Sequence, residues 1–385
     1  MMTVAPSPVQ ISSDFDSGNI QVLDASDPLH IKLAIRPDTR SPHFQWFHFK
    51  VDGLAPGQTH HFQLSNASQS SYNKAWDGYQ AVASYDHEHW FRVPTAFDGT
   101  SLNFHIETER PQVWFAYFEP YSRERHEQLI VRAIQPLAGC NVLSTGKSVE
   151  GRAIQLLRKG TGASHKRKIW IIAQQHPGEH MAEWFMEGII DRLEQGSDPQ
   201  LRKLLDFADL YLIPNMNPDG AFHGHLRTNA NGQDLNRAWQ NTDPDVSPEV
   251  FFALEQMNKY GVDLFLDIHG DEEIPYVFTA GCEGNPGYTE RLANLEERFR
   301  THLSQLTRDF QTLHGYTRDE PGQANMTLAC NSVGQRFDCL SLTLEMPFKD
   351  NNDAPDPHAG WSGKRSSQLG KDVLSTLSSM VRELR

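Results

Sequence analysis

The chain is poor in cysteine. Cys140, Cys282, Cys330 and Cys339 are its whole complement in 385 residues, and no two share a C-x-x-C spacing. That excludes a disulfide framework and predicts four reduced core thiols in a reducing compartment. Long hydrophobic runs are missing as well. The longest apolar stretches, KIWIIA and VDLFLDI, fall far short of the ~20 residues that cross a bilayer, so no transmembrane helix and no membrane partner are expected. The first residues, MMTVAPSPVQISSDFDSG, lack a basic start, an apolar core and a small-residue cleavage site. They do not read as a secretory signal, and a cytoplasmic location is expected. Basic charge is scarce: 35 Lys and Arg stand against 49 Asp and Glu, a net charge of −14. Phosphate contacts need concentrated Lys and Arg, which this acidic balance opposes, so no nucleic-acid partner is expected. Net charge constrains the surface only, and a basic pocket inside an acidic shell remains allowed.

Several catalytic signatures are also absent. There is no G-x-S-x-G elbow, no S-x-x-K accompanied by S-D-N and K-T-G, no G-x-x-x-x-G-K loop and no G-x-G-x-x-G after an apolar run. No cysteine sits in a recognisable nucleophile motif. Metal-activated water is the remaining route to catalysis.

What is present divides in two. Up to residue 135 the apolar pattern has period two in short aromatic and β-branched runs: FQWFHFKV, THHFQLS, SLNFHIE and QVWFAYFEP, separated by turn-formers such as DGLAPGQ and FDGT. Such runs predict strands with one buried face, and together a β-sandwich over residues 1–135. After Pro136, apolar runs alternate with longer amphipathic stretches, as in KIWIIAQQ followed by EHMAEWFMEGIIDRLEQG. This predicts an α/β domain over 136–385 with a mixed, largely parallel central sheet. The stripe Met181, Trp184, Phe185, Ile189, Leu193 marks a helix closed by Gly196, with Glu179 in its first turn. A final amphipathic helix is expected within SSQLGKDVLSTLSSMVREL.

The stretch QQHPGEHMAEW holds His-x-x-Glu twice, as His176/Glu179 and His180/Glu183. Either pair alone is ordinary. Ligands of open α/β sheets bind beyond the carboxyl ends of strands, where His176, Asn215 and His269 all fall. Two imidazoles and one carboxylate, as in His176, Glu179 and His269, form a normal catalytic zinc set with a position left for water. Asp267, two residues before His269, is placed to orient that ligand or to serve a structural hydrogen bond. Glu183 is expected on the solvated side of its helix, with His180 capping, shielding or contacting the site without ligating. The other histidine-rich stretches, HH at 60–61, HEH at 87–89 and HGH at 223–225, lack zincin spacing.

In order along the chain come HPGE (176–179), PNMNPDG (214–220), LRTNANGQDLNRAW (226–239), LDIHG (266–270) and TLEMPF (343–348). This series resembles the zinc metallocarboxypeptidases, specifically their cytosolic carboxypeptidase-like branch. FDSGNI (15–20), WFHFKV (46–51) and WFAYFEPYS (114–122) are similar to that branch's N-terminal β-sandwich, and SVEGRAIQLL (148–157) to the entry into its catalytic domain. The resemblance implies one Zn2+ per chain on His176, Glu179 and His269, with Glu345 as general base. It implies that Arg227 stabilises the oxyanion and that Asn236 and Arg237 hold the terminal carboxylate of a peptide or protein substrate. Two departures bear on specificity. The family's mobile tyrosine has Tyr316 as its nearest candidate, since no Tyr occurs from 317 to 345. The basic residue expected before TLE in glutamate-trimming members is replaced by GQANM, with Asn325 near that position, leaving Arg318 or Arg336 as substitutes.

Branch membership thus raises removal of C-terminal glutamate as one expectation. Two alternatives stand beside it: an N-acyl amino acid hydrolase using the same zinc chemistry, and a catalytically silent protein that binds peptide C-termini. The sandwich surface is open to narrowing the cleft or docking a protein partner.

Overall fold

A computed structural model describes residues 9–196 and 198–384, so the first eight residues of the stretch read as lacking a signal lie outside it. The amino-terminal strands are β1 (Gln10–Ser12), β2 (Gln21–Asp24), β3 (His30–Ala34), β4 (His48–Asp52), β5 (Thr59–Leu64), β6 (Val82–Ser84), β7 (Trp90–Arg92), β8 (Thr95–Phe97), β9 (Leu102–Glu107) and β10 (Gln112–Ala116). They form two five-stranded sheets, ordered β1-β4-β10-β6-β7 and β2-β3-β5-β9-β8. The expected alternation is present: His60, Phe62 and Leu64 point inward from β5, and Leu102, Phe104 and Ile106 from β9. Aromatic pairs join the two sheets, with Phe62 and Phe115 rings 4.7 Å apart and Phe104 and Phe115 rings 5.2 Å apart. This is the β-sandwich that the period-two pattern predicts.

Helix α1 (Arg123–Ile134) follows, capped by the Ser122 hydroxyl, which accepts from the Arg125 amide. The remainder comprises β11 (Asn141–Lys147), β12 (Ala153–Lys159), β13 (Arg167–Ala173), α2 (Met181–Glu194), α3 (Pro199–Phe207), β14 (Ala208–Ile213), α4 (Pro218–His223), α5 (Pro248–Tyr260), β15 (Leu264–Asp271), β16 (Phe278–Ala280), α6 (Glu290–Leu306), α7 (Ala329–Phe337), β17 (Leu340–Pro347) and α8 (Gly363–Met380). Seven strands run in the order β11-β12-β14-β13-β15-β17-β16. The inner four are mutually parallel and the edges antiparallel. Helices cover both faces of the parallel centre, which is why β14, β15 and β17 are buried at every residue. Ile169 and Ile171 of β13 join one apolar cluster, with α2 and α8, while Trp170 and Ile172 join the other, with α5 and α7.

Three sequence expectations need correction. Glu179 precedes its helix, since α2 begins at Met181; at the other end Glu194 is the last helical residue, Gln195 the C-cap, and Gly196 follows directly, as expected. The final helix begins at Gly363 and ends at Met380, earlier at both ends than the amphipathic stretch suggested. Glu183 is buried, not solvated, at 1% exposure. Twelve of the fourteen α2 residues are buried, because sheet, α1 and α8 enclose the helix. The Glu183 carboxylate accepts from Asn215 Nδ2 at 2.9 Å and pairs closely with His126. The four cysteines are buried and none forms a disulfide, as expected.

Candidate active site

Strand β13 ends at Ala173, and Gln174 then takes a left-handed backbone (φ 57°), turning the chain sharply. Its amide side chain fixes the turn: Nε2 donates to Pro177 O at 2.9 Å, and Oε1 accepts from Asn215 Nδ2 at 2.9 Å. Gly178 is required for a different reason. A Cβ there would lie 2.9 Å from Leu226 O, the carbonyl to which the Gly178 amide donates. The HPGE turn is thereby pressed against the segment that carries Arg227.

The turn places His176 Nδ1 2.7 Å from Glu179 Oε1. From the next strand, β15, His269 Nδ1 reaches Glu179 Oε2 at 2.8 Å and His176 Nδ1 at 3.2 Å. The three residues are 5%, 3% and 2% exposed in the order His176, Glu179, His269. Their ligand atoms all lie within 4.8 Å of one another, the only such group among the described residues. The outer ring nitrogens face carboxylates: His176 Nε2 is 3.1 Å from Asp234 Oδ1. His269 Nε2 is 2.9 Å from Asp267 Oδ2, close enough for charge pairing though off the line of a hydrogen bond. Burial pushes Glu179 up, but the two imidazoles prevail and hold it near about 2. Burial alone lowers His269, yet Asp267 and Glu179 raise it well above its usual value. Two converging imidazoles backed by carboxylates favour positive charge at their centre, and the donor set fits a divalent metal.

Glu345 lies in register with His269 on the neighbouring strand β17. One carboxylate oxygen is 3.1 Å from Tyr316 Oη, and the other is buried without a hydrogen-bond partner. Burial pushes Glu345 up to about 8; His269 opposes this, while Glu179 and Asp271 add to it. Tyr316 Oη also donates to Asp271 Oδ2 at 2.7 Å. Arg227 Nε donates to Asp234 Oδ2 at 2.8 Å, and its guanidinium lies 5.7 Å from the centre of the Tyr72 ring. Asp234 therefore joins the first histidine to the arginine, and it also caps the short helical turn Leu235–Arg237 through the Asn236 amide. Asn236 Oδ1 accepts from the Ala329 amide at 2.8 Å, and Arg237 Nη1 donates to Asn236 O at 2.8 Å.

His176, Glu179, His269, Glu345, Tyr316, Asp271, Arg227, Tyr72, Asn236 and Arg237 line one cleft of about 790 Å³, and Asp234 and Asp267 stand behind it. Arg318 is there, 66% exposed and 3.2 Å from Glu283. Arg336 is not: it sits exposed near the end of α7 and does not line the cleft. Asn325 caps its own turn by accepting from Thr327. His180 is buried and holds no place in the metal group. Its Nδ1 accepts from the Tyr121 amide and its ring stacks on Trp46 at 4.2 Å, so it packs without ligating. The remaining histidine clusters serve packing and polar contacts: His48 with His87, His60 with Pro28 O, His223 with Glu150.

Sequence reading missed Asp234, Asp271, Glu272, Arg300 and Tyr72. Asp234 directly precedes Leu235-Asn236-Arg237, and Asp271 and Glu272 directly follow LDIHG, so proximity to a motif was an available signal. Tyr72, which comes from the sandwich, gave none.

Comparison with known proteins agrees with this geometry. The cytosolic carboxypeptidase N-terminal domain matches residues 11–118, and the zinc carboxypeptidase family matches residues 138–356. The chain is 63% identical to a metallo-carboxypeptidase from Pseudomonas aeruginosa solved in complex with (2-guanidinoethylmercapto)succinic acid, covering 98% of this chain and 100% of that one, with a TM-score of 0.96. It is 44% identical to a metallo-carboxypeptidase from Burkholderia cenocepacia, over 97% and 99% of the two chains, with a TM-score of 0.93. Human cytosolic carboxypeptidase 1 is 26% identical over 71% of this chain, which spans only 26% of that longer protein. The chain belongs to the zinc carboxypeptidase family, in the branch that carries the cytosolic carboxypeptidase N-terminal domain.

Proposed function

We propose that the protein is a zinc-dependent carboxypeptidase whose metal is held by His176, Glu179 and His269, one ion per chain. The observation that carries this is the buried triad with Glu345 on the adjacent strand, opening on one cleft. Zinc bound there supplies a Lewis acid that makes water nucleophilic at neutral pH. A cation held by the triad would oppose the burial that raises Glu345 and keep it ionised, so that the carboxylate, with one oxygen free, would accept the proton of the attacking water and return it to the leaving amine. Arg227 stabilises the oxyanion, with Asp234 keeping its guanidinium oriented. Asn236 and Arg237 hold the substrate's terminal carboxylate, for which a guanidinium fork is matched. Tyr316, whose hydroxyl lies 3.1 Å from Glu345 in the cleft, is the candidate for the family's mobile tyrosine. The same reading divides the chain at 135/136 into sandwich and catalytic domain. A cytoplasmic location is proposed from the low cysteine count, and cell fractionation checks it.

The specificity pocket is the finer question. Removal of C-terminal glutamate needs a free cation in the cleft, and the two cleft arginines not assigned to the reaction, Arg300 and Arg318, are both engaged. Arg300 bonds Thr279 and pairs with Glu296 at 2.7 Å, and Arg318 pairs with Glu283. Glu283 Oε2, by contrast, is buried without a hydrogen-bond partner. This favours a second reading, a C-terminal Lys or Arg whose side chain donates to Glu283. It accords with the guanidino ligand of the Pseudomonas relative. Neither an N-acyl amino acid hydrolase nor a silent binder is favoured, because both family matches and all four chemical positions are present. No observation supports a protein partner on the sandwich, and none is proposed. The test is release of the last residue from matched peptides ending in Glu, Lys, Arg or Phe by the zinc-loaded protein. Faster release of Glu would restore the branch expectation, and no release of any residue would sink the carboxypeptidase reading.

A further inference from the structure

The segment that carries Arg227 is built against the sandwich. Asp38, 3% exposed and more than 180 positions upstream, receives four hydrogen bonds from three consecutive residues. Its Oδ1 accepts from the Leu226 amide at 2.6 Å. Its Oδ2 accepts from the Arg227 amide at 2.9 Å, the Thr228 amide at 2.9 Å and the Thr228 hydroxyl at 3.0 Å. The neighbouring residue adds a second tie. His225 Nδ1 donates to Thr228 O at 2.9 Å, while its Nε2 accepts from the Thr39 amide at 2.9 Å. Asn19 Nδ2 donates to Gly224 O at 2.9 Å, and the Ser17 amide to Phe222 O at 3.0 Å. On the cleft side Tyr72, also from the sandwich, faces the same guanidinium.

A carboxylate that gathers three backbone amides fixes the direction of the peptide planes on both sides of Arg227. The side chain leaves that backbone with its Cα position already set. Preorganised donors are effective only when their position costs nothing at the moment of reaction. We propose that Asp38 is a positioning residue for Arg227, so that the sandwich completes the active site by holding the backbone from which the oxyanion arginine extends. The proposal rests on the reading of Arg227 given above. It assigns the amino-terminal domain a part in catalysis without substrate contact by Asp38 itself.

Asp38→Asn is the discriminating variant. It keeps the shape but turns an N–H donor against at least one of the amides, because every group facing the carboxylate is itself a donor. Steady-state kinetics on a cleaved peptide is measured for wild type, Asp38→Asn, Arg227→Ala and the double variant, with zinc content and Tm recorded for each. The expected result is a fall in kcat of about 10- to 100-fold for Asp38→Asn with KM within about two-fold, and no further fall when Asp38→Asn is added to Arg227→Ala. Equal fold-losses in both backgrounds would show that Asp38 acts independently of Arg227, overturning the proposal while leaving the reading of Arg227 intact. An Arg227→Ala protein as active as wild type would overturn both. If Asp38→Asn does not fold, Thr228→Ala removes one of the four bonds and enters the same cycle, with a smaller kcat loss expected in the wild-type background and none beside Arg227→Ala. A loss that persists beside Arg227→Ala overturns the proposal.

Discussion

The two His-x-x-Glu pairs of QQHPGEHMAEW differ in what surrounds each side chain. Glu179 faces two imidazole nitrogens, whereas Glu183 faces His126 and Asn215 on the far side of the turn. Glu179→Gln is therefore expected to bind well under one zinc per chain by elemental analysis, while Glu183→Gln keeps its metal. The Glu183 change should instead lower stability by about 1–3 kcal/mol, because it weakens buried hydrogen bonds. Normal zinc in Glu179→Gln would contradict the assignment. Asp267 does not touch the metal position, yet it lies against His269 Nε2. Asp267→Asn should weaken zinc affinity about 10- to 100-fold, a loss measured by competition with a chromophoric chelator, and an unchanged affinity would remove Asp267 from the site's support.

At the scale of elements, the tightest constraint is the contact between the HPGE turn and the segment after α4. Gly178→Ala would drive a Cβ to 2.9 Å from Leu226 O, and such overpacking costs about 1–3 kcal/mol. Because that carbonyl precedes Arg227, kcat should fall as well; a variant with wild-type Tm and turnover would show that the contact is soft. Helix α5 carries a pH-sensitive group in its first turn. Burial pushes Glu249 up to about 7 from an ordinary 4.5, with one oxygen bonded to Asn229 and the other unpartnered. Between these values the folded chain holds a proton that the unfolded chain has released. The contribution is complete below pH about 4.5 and is lost as pH rises towards 7, amounting to at most roughly 3 kcal/mol. Glu249→Gln should flatten the decline of Tm with pH across that window relative to wild type; parallel profiles would contradict it.

Across the whole molecule, one apolar cluster runs from the sandwich into the catalytic half. Tyr117 stacks on Phe348 at 4.6 Å, and Arg92 Nη2 donates to Phe348 O and Trp361 O. Heating should therefore give a single cooperative transition followed by circular dichroism and by tryptophan fluorescence. Two separated transitions would mean that the halves are energetically independent. The same long-range packing marks where sequence reading stopped. Strand periodicity in THHFQLS and SLNFHIE located the sandwich, and HPGE, DLNR, LDIHG and TLEMPF located the chemical groups, because each is a local pattern. The burial of Glu183 was hidden since α2 is enclosed on all sides, and a stripe of apolar residues cannot reveal a second covered face. Asp38 and Tyr72 were hidden for a stronger reason: their partner Arg227 is more than 150 residues away, and only the docked fold brings them together.

The central claim is that Glu345 and a metal on His176, Glu179 and His269 together remove C-terminal residues. The most direct measurement compares zinc-loaded wild type with Glu345→Gln for amino acid released from a peptide library, with bound zinc quantified in the same samples. The account predicts release by wild type and a loss of about 10²–10⁴-fold in Glu345→Gln, with about one zinc retained per chain in both. Equal release by the two proteins, or no release by a wild type carrying its zinc, would contradict it.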